Sequence, residues 1–561
     1  MMRAFPGVRR RLSRPFSTAL GLQDIPGPKA WPIVGALPDF VSRVDGMSAP
    51  RGPMLQKAHD EYYKEFGEIY RLNLVGENSV MVCRPDLYMQ MYRNEGTYPV
   101  GGADNLWIIK RWAEEQNKNT YLGFSGRGEP WRKVRMVVQE DITGPKTART
   151  YLPYINEATR LASPHMPSFA KEPNQFVTRL AFDMFSALFY GKQMKTASPS
   201  ARPEDLEFVA NTVQTFNLLG KSVFNGHLKM GIFKNHHVNR SFKTSWQKSY
   251  DYSCQLLEEA LENSQDMSAD RKPYIVRVLD RQSMPLDEVK EVAASVLLAG
   301  IDTTTSVINW NLLYLAMNPD KQEILRKELR EVLGSGDLTD EIAANMKSKL
   351  PYLRAVIRET HRVAPPSSIM TQRAAPCDLE LDGYKVPEGT QVGFNVYSLQ
   401  NDPKYVEDPS QFKPERWLPD AVEARKGTEA EAVRGDGSVE SWGHHGYGGS
   451  FFMEKEMLQD VRQVKASYGA FAALLSDGTV LSWGDPEYGS DNLDVRSQLT
   501  DVVQIASTDY AFAAIRKDGS VVTWGDFDYG GDSSAVKDQL QKVRSISSTS
   551  EAFAAILEDG T

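Results

Sequence analysis

Apolar residues run almost without interruption from Val289 to Met317, and the run contains no proline. This pattern predicts one long helix that is buried along most of its length. The middle of the run suits a helix less well, because Gly300 costs about 1 kcal/mol relative to alanine and three β-branched threonines follow Asp302. Threonine hydroxyls there can bond the carbonyl four residues earlier and open the helix. Acid and alcohols at such a point indicate a reaction groove, although a core helix with a solvated acid fits the pattern equally.

Other stretches before residue 428 also show the periodicities of regular structure. Residues 66–74 and 79–83 alternate apolar and polar positions around Gly76-Glu-Asn78, which predicts a β-hairpin. Residues 350–365 predict a helix that a proline ends. This part of the chain is therefore predicted to be mainly α-helical. Further helical patterns cover residues 181–188, 204–217 and 250–263.

From residue 429 onward the chain repeats itself with a period of 41 residues. Each unit carries an Asp-Gly pair, which supplies the positive φ angles of a tight hairpin, and then a Trp-Gly pair whose indole packs between layers. Alternating apolar residues flank the turn, so each unit predicts paired strands like those of a propeller blade. The chain stops within the last hairpin, which predicts an incomplete all-β array with exposed strand edges. The Asp-Gly pairs begin at Asp436, Asp477, Asp518 and Asp559, and the Trp-Gly pairs at Trp442, Trp483 and Trp524.

The balance of charge changes at the same point in the chain. The 561 residues together have a net charge of −8, which argues against a general nucleic-acid binder. Residues 431–561 carry 10 Lys and Arg against 21 Asp and Glu, so the acidic excess lies in the repeats. The three cysteines are too few for a disulfide scaffold and fit a reducing compartment.

The first 23 residues have the composition of a mitochondrial transit peptide. They contain five arginines and several hydroxyl side chains, and no acid precedes Asp24. A disordered basic tail is the alternative, but apolar residues are spaced among the charges. We therefore expect three parts, which are a transit peptide over residues 1–23, a helical domain over 24–428 and a repeat array over 429–561.

The segment Ala299-Gly-Ile-Asp-Thr-Thr304 resembles the distal helix of the cytochrome P450 family, the haem-thiolate monooxygenases. In that family, small residues at the positions of Ala299 and Gly300 leave room for dioxygen beside the haem. The acid and the alcohol that follow relay protons so that the O–O bond breaks. The resemblance therefore implies that Asp302 delivers protons and that Thr303 holds the oxygen and its water.

Three further residues match positions that bind the haem carboxylates in this family. Trp131 and Arg135 follow Pro130, which can start a helix, and their spacing of four places both on one face. Arg373 matches a second propionate contact. Arginine suits this role because its planar fork pairs with two carboxylate oxygens at once.

A set of three charged residues extends the resemblance. Glu359 and Arg362 lie three apart on the predicted helix 350–365, where such a pair is otherwise a weak surface ion pair. The segment Phe412-Lys-Pro-Glu-Arg-Trp417 supplies Arg416 as the third member. In this family the triad locks the core on the haem side, and buried networks of this kind are held to fix geometry more than they stabilise.

The chain departs from the family pattern where the iron ligand is expected. The family has a glycine-rich loop soon after the Phe-Lys-Pro-Glu-Arg-Trp segment, and a cysteine thiolate in it binds the iron. No cysteine follows Cys377, and Cys83 and Cys254 read as buried apolar side chains. His444 and His445 stand near the expected distance, yet the later repeats carry loop residues at these positions. The sequence thus predicts a cytochrome P450 fold truncated before its haem-ligand loop, with no metal ligand.

The resemblance implies a function as well as a fold. The basic presequence is similar to that of the mitochondrial class, whose members use haem and take electrons from a ferredoxin-type donor with an NADPH-dependent reductase. The implied reaction hydroxylates a lipophilic, sterol-like substrate on the matrix side, peripheral to the inner mitochondrial membrane. The repeats resemble regulator-of-chromosome-condensation repeats, and their acidic character disfavours DNA. The alternative is a non-catalytic fusion in which the repeats act as a scaffold, for a partner that the sequence does not identify.

Overall fold

The structure is a computed structural model of the chain. Residues 1–19, which make up most of the transit peptide expected over residues 1–23, lie outside the described residues. The structure describes residues 20–32, 34–44, 55–74, 77–94, 100, 106–118, 128–140, 149–224, 228, 231–268, 272–281, 284–366, 370–421, 430–433, 439–442, 460–492 and 494–559.

The chain divides into two compact units, each built from three segments. The first is Met1–Gln139, Phe189–Thr304 and Arg362–Ser410, and the second is Glu140–Leu188, Thr305–His361 and Gln411–Thr561. The helices are α1 (Leu37–Arg43), α2 (Leu55–Phe66), α3 (Pro85–Arg93), α4 (Trp107–Glu115), α5 (Gly128–Glu140), α6 (Leu152–Ala162), α7 (Pro173–Tyr190), α8 (Pro203–Phe224), α9 (His237–Asn263), α10 (Tyr274–Asp280), α11 (Leu286–Met317), α12 (Pro319–Val332), α13 (Asp340–Ala344), α14 (Met346–Lys349), α15 (Pro351–Val363) and α16 (Val396–Gln400). The strands are β1 (Ile69–Leu74), β2 (Glu77–Val82), β3 (Met370–Ala374), β4 (Leu379–Leu381), β5 (Tyr384–Val386), β6 (Gln391–Phe394), β7 (Ala430–Val433), β8 (Val439–Trp442), β9 (Val461–Ala466), β10 (Ala470–Leu475), β11 (Val480–Gly484), β12 (Val502–Ser507), β13 (Ala511–Arg516), β14 (Val521–Gly525), β15 (Val543–Ser548) and β16 (Phe553–Leu557).

The predicted long helix is α11, which extends from Leu286 to Met317. It ends there because Pro319 disfavours helical backbone at the residue before it, and Asn318 accordingly adopts φ −129° and ψ 76°. The backbone stays helical through Gly300, so the opening expected at that point does not occur. The local cost of glycine and threonines is therefore too small to interrupt a helix of this length.

The second half of α11 is less buried than its sequence predicts. Leu298 and Ile301 in the first half are only 3% exposed. Leu313 and Met317 in the second half are 46% and 66% exposed. By length and composition alone, α11 is also the one helix among the described residues that could cross a membrane, a test that core helices of soluble proteins pass as well.

A four-stranded sheet in the order β1-β2-β6-β3 forms the β part of the first unit. Strands β1 and β2 are the predicted antiparallel hairpin, with Leu74 opposite Glu77. Strand β6 pairs parallel with β2 and antiparallel with β3. Helix α3 packs on this sheet, where Tyr88 stacks on Phe394 with 5.1 Å between ring centres. The sheet thereby fixes strand β3, which carries Arg373.

The repeats form small antiparallel sheets, as the 41-residue period predicts. Two have three strands, in the orders β11-β10-β9 and β12-β13-β14, and β15-β16 and β7-β8 are two-stranded. At the Asp-Gly turns Gly478 has φ +84° and Gly519 has φ +77°, the left-handed conformation that glycine adopts most readily. Trp524 stacks on Phe512 of the adjacent strand with 5.4 Å between ring centres, which confirms its packing role. The described sheets do not close into a barrel.

His59 is a buried histidine of the first unit, 4% exposed, with its Nδ1 2.7 Å from the Tyr70 hydroxyl. Burial lowers the pKa of His59 to about 4. An unfolded histidine binds its proton near pH 6.5, so between these two values the unfolded chain holds more protons than the folded chain. The stability that depends on neutral His59 is therefore present above about pH 6.5 and is lost as the pH falls through about 4, by up to ~3 kcal/mol.

We expect the urea midpoint of the His59→Gln variant to depend less on pH than that of the parent chain between about pH 6.5 and 4.5. Urea unfolding followed by circular dichroism at several pH values measures this dependence. His237→Gln changes an exposed histidine and is the matched control, so it should keep the parent's dependence. Identical pH slopes for the two variants would show that His59 is not the acid-sensitive group.

Candidate functional site

The acid and the alcohol of the predicted groove stand side by side on the accessible face of α11. Asp302 and Thr303 are exposed, whereas Ile301 is buried. The Thr303 hydroxyl donates a hydrogen bond to the Ala299 carbonyl, with 2.9 Å between the two oxygens. Ala299 and Gly300 are small and half-buried, so they leave room beside the Asp302 carboxyl. The four residues predicted on this helix therefore share one site.

The carboxyl of Asp302 is suited to hold and release a proton. Although the residue is exposed as a whole, neighbouring protein atoms partly shield its carboxyl, and this desolvation raises its pKa above the ordinary value. Such a carboxyl keeps its proton closer to neutral pH than a free aspartate, which a general acid must do. The adjacent Thr303 hydroxyl offers its oxygen as an acceptor at the same place.

Arginine side chains on two separate elements are placed to bind carboxylates. Trp131 and Arg135 share one face of α5, as their spacing predicts, with the guanidinium carbon 5.5 Å from the centre of the indole. This cation–π contact holds the guanidinium while leaving it exposed to an anion. Arg373 is half-buried on β3, opposite Val392 of β6, and its Nε atom is buried. Arg135 therefore contacts Trp131 on α5, whereas Arg373 lies on strand β3 of the four-stranded sheet.

Glu359 is a fully buried acid on α15, and it accepts three hydrogen bonds from the segment after Phe412. The donors are the Lys413 amide at 2.8 Å, Arg416 Nε at 3.2 Å and Trp417 Nε1 at 2.9 Å. The structure therefore brings Glu359 and Arg416 together, as predicted. Because a buried carboxylate is costly unless it is paired and hydrogen-bonded, these contacts fix the segment against the helix.

Two other residues add to this description. Arg362, the third predicted member, is 3% exposed, and its guanidinium donates to the Gln400 carbonyl at 3.0 Å. Trp417 has no role in the sequence-based prediction, although it directly follows Arg416. An indole next to the predicted ion-pair arginine is the signal that could have identified it, because a buried indole N–H requires an acceptor.

A haem, which the sequence resemblance implies, carries two carboxylates and an iron that need different partners. Arg135, Arg373 and the Trp131 indole supply N–H donors that suit the two carboxylates of a haem. The iron requires a thiolate, and burial raises the pKa of both Cys83 and Cys254, which disfavours the thiolate form. Cys377 is exposed just after β3.

Metal sites other than haem are commonly built from clusters of His, Cys, Asp or Glu side chains. No group of three His, Cys, Asp or Glu side chains that could hold a metal occurs in the ranges described above. His444 and His445 lie outside those ranges. The described residues therefore supply donors for the carboxylates of a haem, and burial disfavours a thiolate ligand at Cys83 and Cys254.

Comparison with known proteins gives two family matches. Residues 25–430 match the family model "Cytochrome P450", and residues 461–490 match "Regulator of chromosome condensation (RCC1) repeat". Cytochrome P450 10 of Lymnaea stagnalis is 26% identical over 435 residues, which is 75% of each chain. The mitochondrial cholesterol side-chain cleavage enzyme of Ovis aries is 24% identical over 373 residues, which cover 64% of this chain and 70% of the relative. The mitochondrial 1,25-dihydroxyvitamin D(3) 24-hydroxylase of Mus musculus is 25% identical over 406 residues, 70% of this chain and 75% of the relative.

Proposed function

The chain belongs to the cytochrome P450 family, and from this premise we propose that residues 25–430 form a haem monooxygenase module that hydroxylates a lipophilic, sterol-like substrate. Two of the similar proteins act, by their names, on cholesterol and on a vitamin D derivative, which supports this substrate class. The observation that carries the proposal is the exposed position of Asp302 and Thr303 on α11, next to the small residues Ala299 and Gly300.

Different residues of this chain would have different roles in such a module. A bound haem would supply the activation of dioxygen. Arg135 and Arg373 would hold its carboxylates through charge-assisted hydrogen bonds. Asp302, whose pKa is raised by desolvation, would donate protons next to the groove, and Thr303 would orient water through its oxygen. The buried Glu359 holds the segment around Trp417 in place and takes no direct part in the reaction.

The partners and location belong to the same proposal. Electrons would come from a ferredoxin-type donor served by an NADPH-dependent reductase, because the similar proteins include several with mitochondrial names. The module would act on the matrix side of the mitochondrion, peripheral to the inner membrane, after removal of the basic segment 1–23. Domain limits of 24–428 and 429–561 are proposed with it.

A second candidate is a fusion that binds without turnover, and one observation favours it. No cysteine follows Cys377 in the sequence, where the family pattern places the iron ligand. The thiolate is the ligand that favours O–O cleavage in this family. In this polypeptide we therefore expect the monooxygenase groove to persist while the step that requires the sulfur ligand fails.

One spectroscopic experiment separates the two candidates. The purified full chain is incubated with haemin, reduced and exposed to carbon monoxide, and its Soret absorption is recorded. We expect no thiolate-type band, because burial raises the pKa of Cys83 and of the half-buried Cys254. A thiolate-type band, accompanied by oxidation of a sterol in the presence of a ferredoxin and its reductase, would establish turnover and exclude the second candidate.

Two variants serve as controls for ligation. Cys377→Ser removes the exposed thiol, and a band that disappears in this variant would identify Cys377 as the ligand. Replacing both His444 and His445 by alanine should leave haem uptake unchanged. Loss of uptake in that variant would instead identify histidine ligation.

A further inference from the structure

A column of tyrosine rings lies along one edge of the repeats. The ring centres of Tyr468 and Tyr488 are 5.3 Å apart, those of Tyr488 and Tyr510 are 4.8 Å apart, and those of Tyr510 and Tyr529 are 4.3 Å apart. Tyr488 and Tyr529 are one 41-residue period apart, so successive repeats place a tyrosine at the same edge. Two members of the column, Tyr488 and Tyr529, therefore follow from the repeat.

Acidic side chains accompany the tyrosines with the same period. Asp485 precedes Tyr488 by three residues, and Asp526 precedes Tyr529 by three. Burial raises the pKa of both aspartates, while the positive charge of Arg358 opposes this rise at Asp485. Aromatic faces next to carboxylates form a surface that favours a cation over an anion or a neutral group.

The side chain of Lys347, on the short helix α14, ends on this surface. Its Nζ lies 3.2 Å from the ring centre of Tyr510 and 3.9 Å from that of Tyr488. Burial lowers the pKa of Lys347 to about 7, and the negative charges of Asp526 and Asp485 oppose this effect. An ammonium loses hydration here, and the two rings and the two acids offset part of that cost.

Two neighbouring contacts place the same edge against the helical part of the second unit. Arg358 of α15 approaches Asp485 with 3.6 Å between Nη2 and Oδ2. The Tyr468 hydroxyl donates to the Pro419 carbonyl at 3.3 Å. Lys347, Arg358 and Pro419 thus come from three separate places in the sequence before residue 420. Each of them contacts the tyrosine column or one of its acids.

We propose that the tyrosine column, with Asp485 and Asp526, is a binding site for the ammonium of a lysine side chain, and that Lys347 of the same chain occupies it. The occupied site docks the repeats onto α14 and α15. The charge balance agrees, because residues 431–561 carry 21 acids against 10 basic residues. This role is independent of haem, of oxygen chemistry and of the substrate.

The test compares hydrogen exchange in variants of the full chain. In Lys347→Met, which keeps the length of the side chain but not its charge, we expect amides of residues 485–490, 508–512 and 351–358 to exchange about 5- to 30-fold faster. Lys347→Arg retains a cation that can face aromatic rings and should stay near the parent rate. Lys349→Met removes an exposed lysine of the same helix and is the matched control. Equal rates for Lys347→Met and Lys349→Met would overturn the proposal.

A second arm tests the chemistry of the site and covers the case in which Lys347→Met fails to fold. In Lys347→Ala the site is vacated, and n-butylammonium should slow the exchange of residues 485–490 whereas n-butanol should not. An equal effect of the two compounds would show that the surface does not select an ammonium. Tyr510→Leu removes one ring that contacts Lys347, and it should reproduce the faster exchange of residues 351–358. Unchanged exchange there would also contradict the proposal.

Discussion

Replacement of Glu359 by alanine is expected to lower the free energy of unfolding by about 3–5 kcal/mol, the cost of breaking a buried ion pair from one side. Glu359 is fully buried, and Arg416, its closest charged donor, has a side chain only 11% exposed. Without the carboxylate, the half-buried Arg416 guanidinium and Trp417 indole would each lose a charged hydrogen-bond acceptor. Thermal unfolding followed at a helical circular dichroism signal should show a midpoint about 10 °C lower.

The matched control is an acid on the surface of the same unit. Glu331 is 64% exposed and stands 3.9 Å from Lys327, so Glu331→Ala should change stability by no more than ~0.5 kcal/mol. Glu359→Gln tests the charge separately, because its amide nitrogen would face N–H donors and should be nearly as damaging as alanine. If Glu359→Ala melted with the Glu331→Ala control, the network would have no structural role.

Local rules were sufficient for the elements whose cause lies within a few residues. The β1–β2 hairpin, the turns at Gly478 and Gly519 and the extent of α11 follow from alternation, from Asp-Gly pairs and from a proline. The exposure of Leu313 could not be predicted in this way, because the apolar pattern is the same in both halves of α11. Periodicity shows that a face is apolar but does not show what packs against it.

Contacts between distant parts of the sequence were predicted only where a family pattern supplied them. The pairing of Glu359 with Arg416, 57 residues apart, came from resemblance and not from spacing. The contact of Lys347 with Tyr510 had no such guide. The 41-residue recurrence of Asp485 and Tyr488 at Asp526 and Tyr529 was visible in the sequence, and it was the one signal of a shared edge. Even that recurrence does not identify Lys347 as the lysine that contacts the tyrosines.

The two sets of contacts fix different parts of the second unit. Glu359 lies on α15 and holds the segment around Trp417, and Arg358 of the same helix approaches Asp485 of the repeats. Glu359 of α15 therefore takes part in the buried ion network, and the adjacent Arg358 takes part in the contact with the repeats. A change at Glu359 should therefore loosen the repeats as well as its own segment, while a change at Lys347 should leave the Glu359 network intact.

Removal of the Phe512 ring is expected to destabilise the repeats by about 3–5 kcal/mol, the usual cost of a buried phenylalanine replaced by alanine. Phe512 is fully buried on β13, between the two three-stranded sheets, where it stacks on Trp524 with 5.4 Å between ring centres. Repeat units contact mainly their neighbours, so the loss should be largest in β10 to β14 and small in α11. Hydrogen exchange of the full chain, compared between these strands and α11, measures this difference.

The control for this prediction is Phe527→Ala, which removes a ring that is 64% exposed and should change exchange little. Phe512 shares its buried cluster with Tyr488 and Tyr510, so its loss should also disturb the rings that face Lys347. In Phe512→Ala, we therefore expect faster exchange in α14 and α15 as a consequence of the damaged strands. Faster exchange confined to β13 alone would mean that the sheets do not support the tyrosine column, and similar rates in the two variants would mean that the ring does not hold them together.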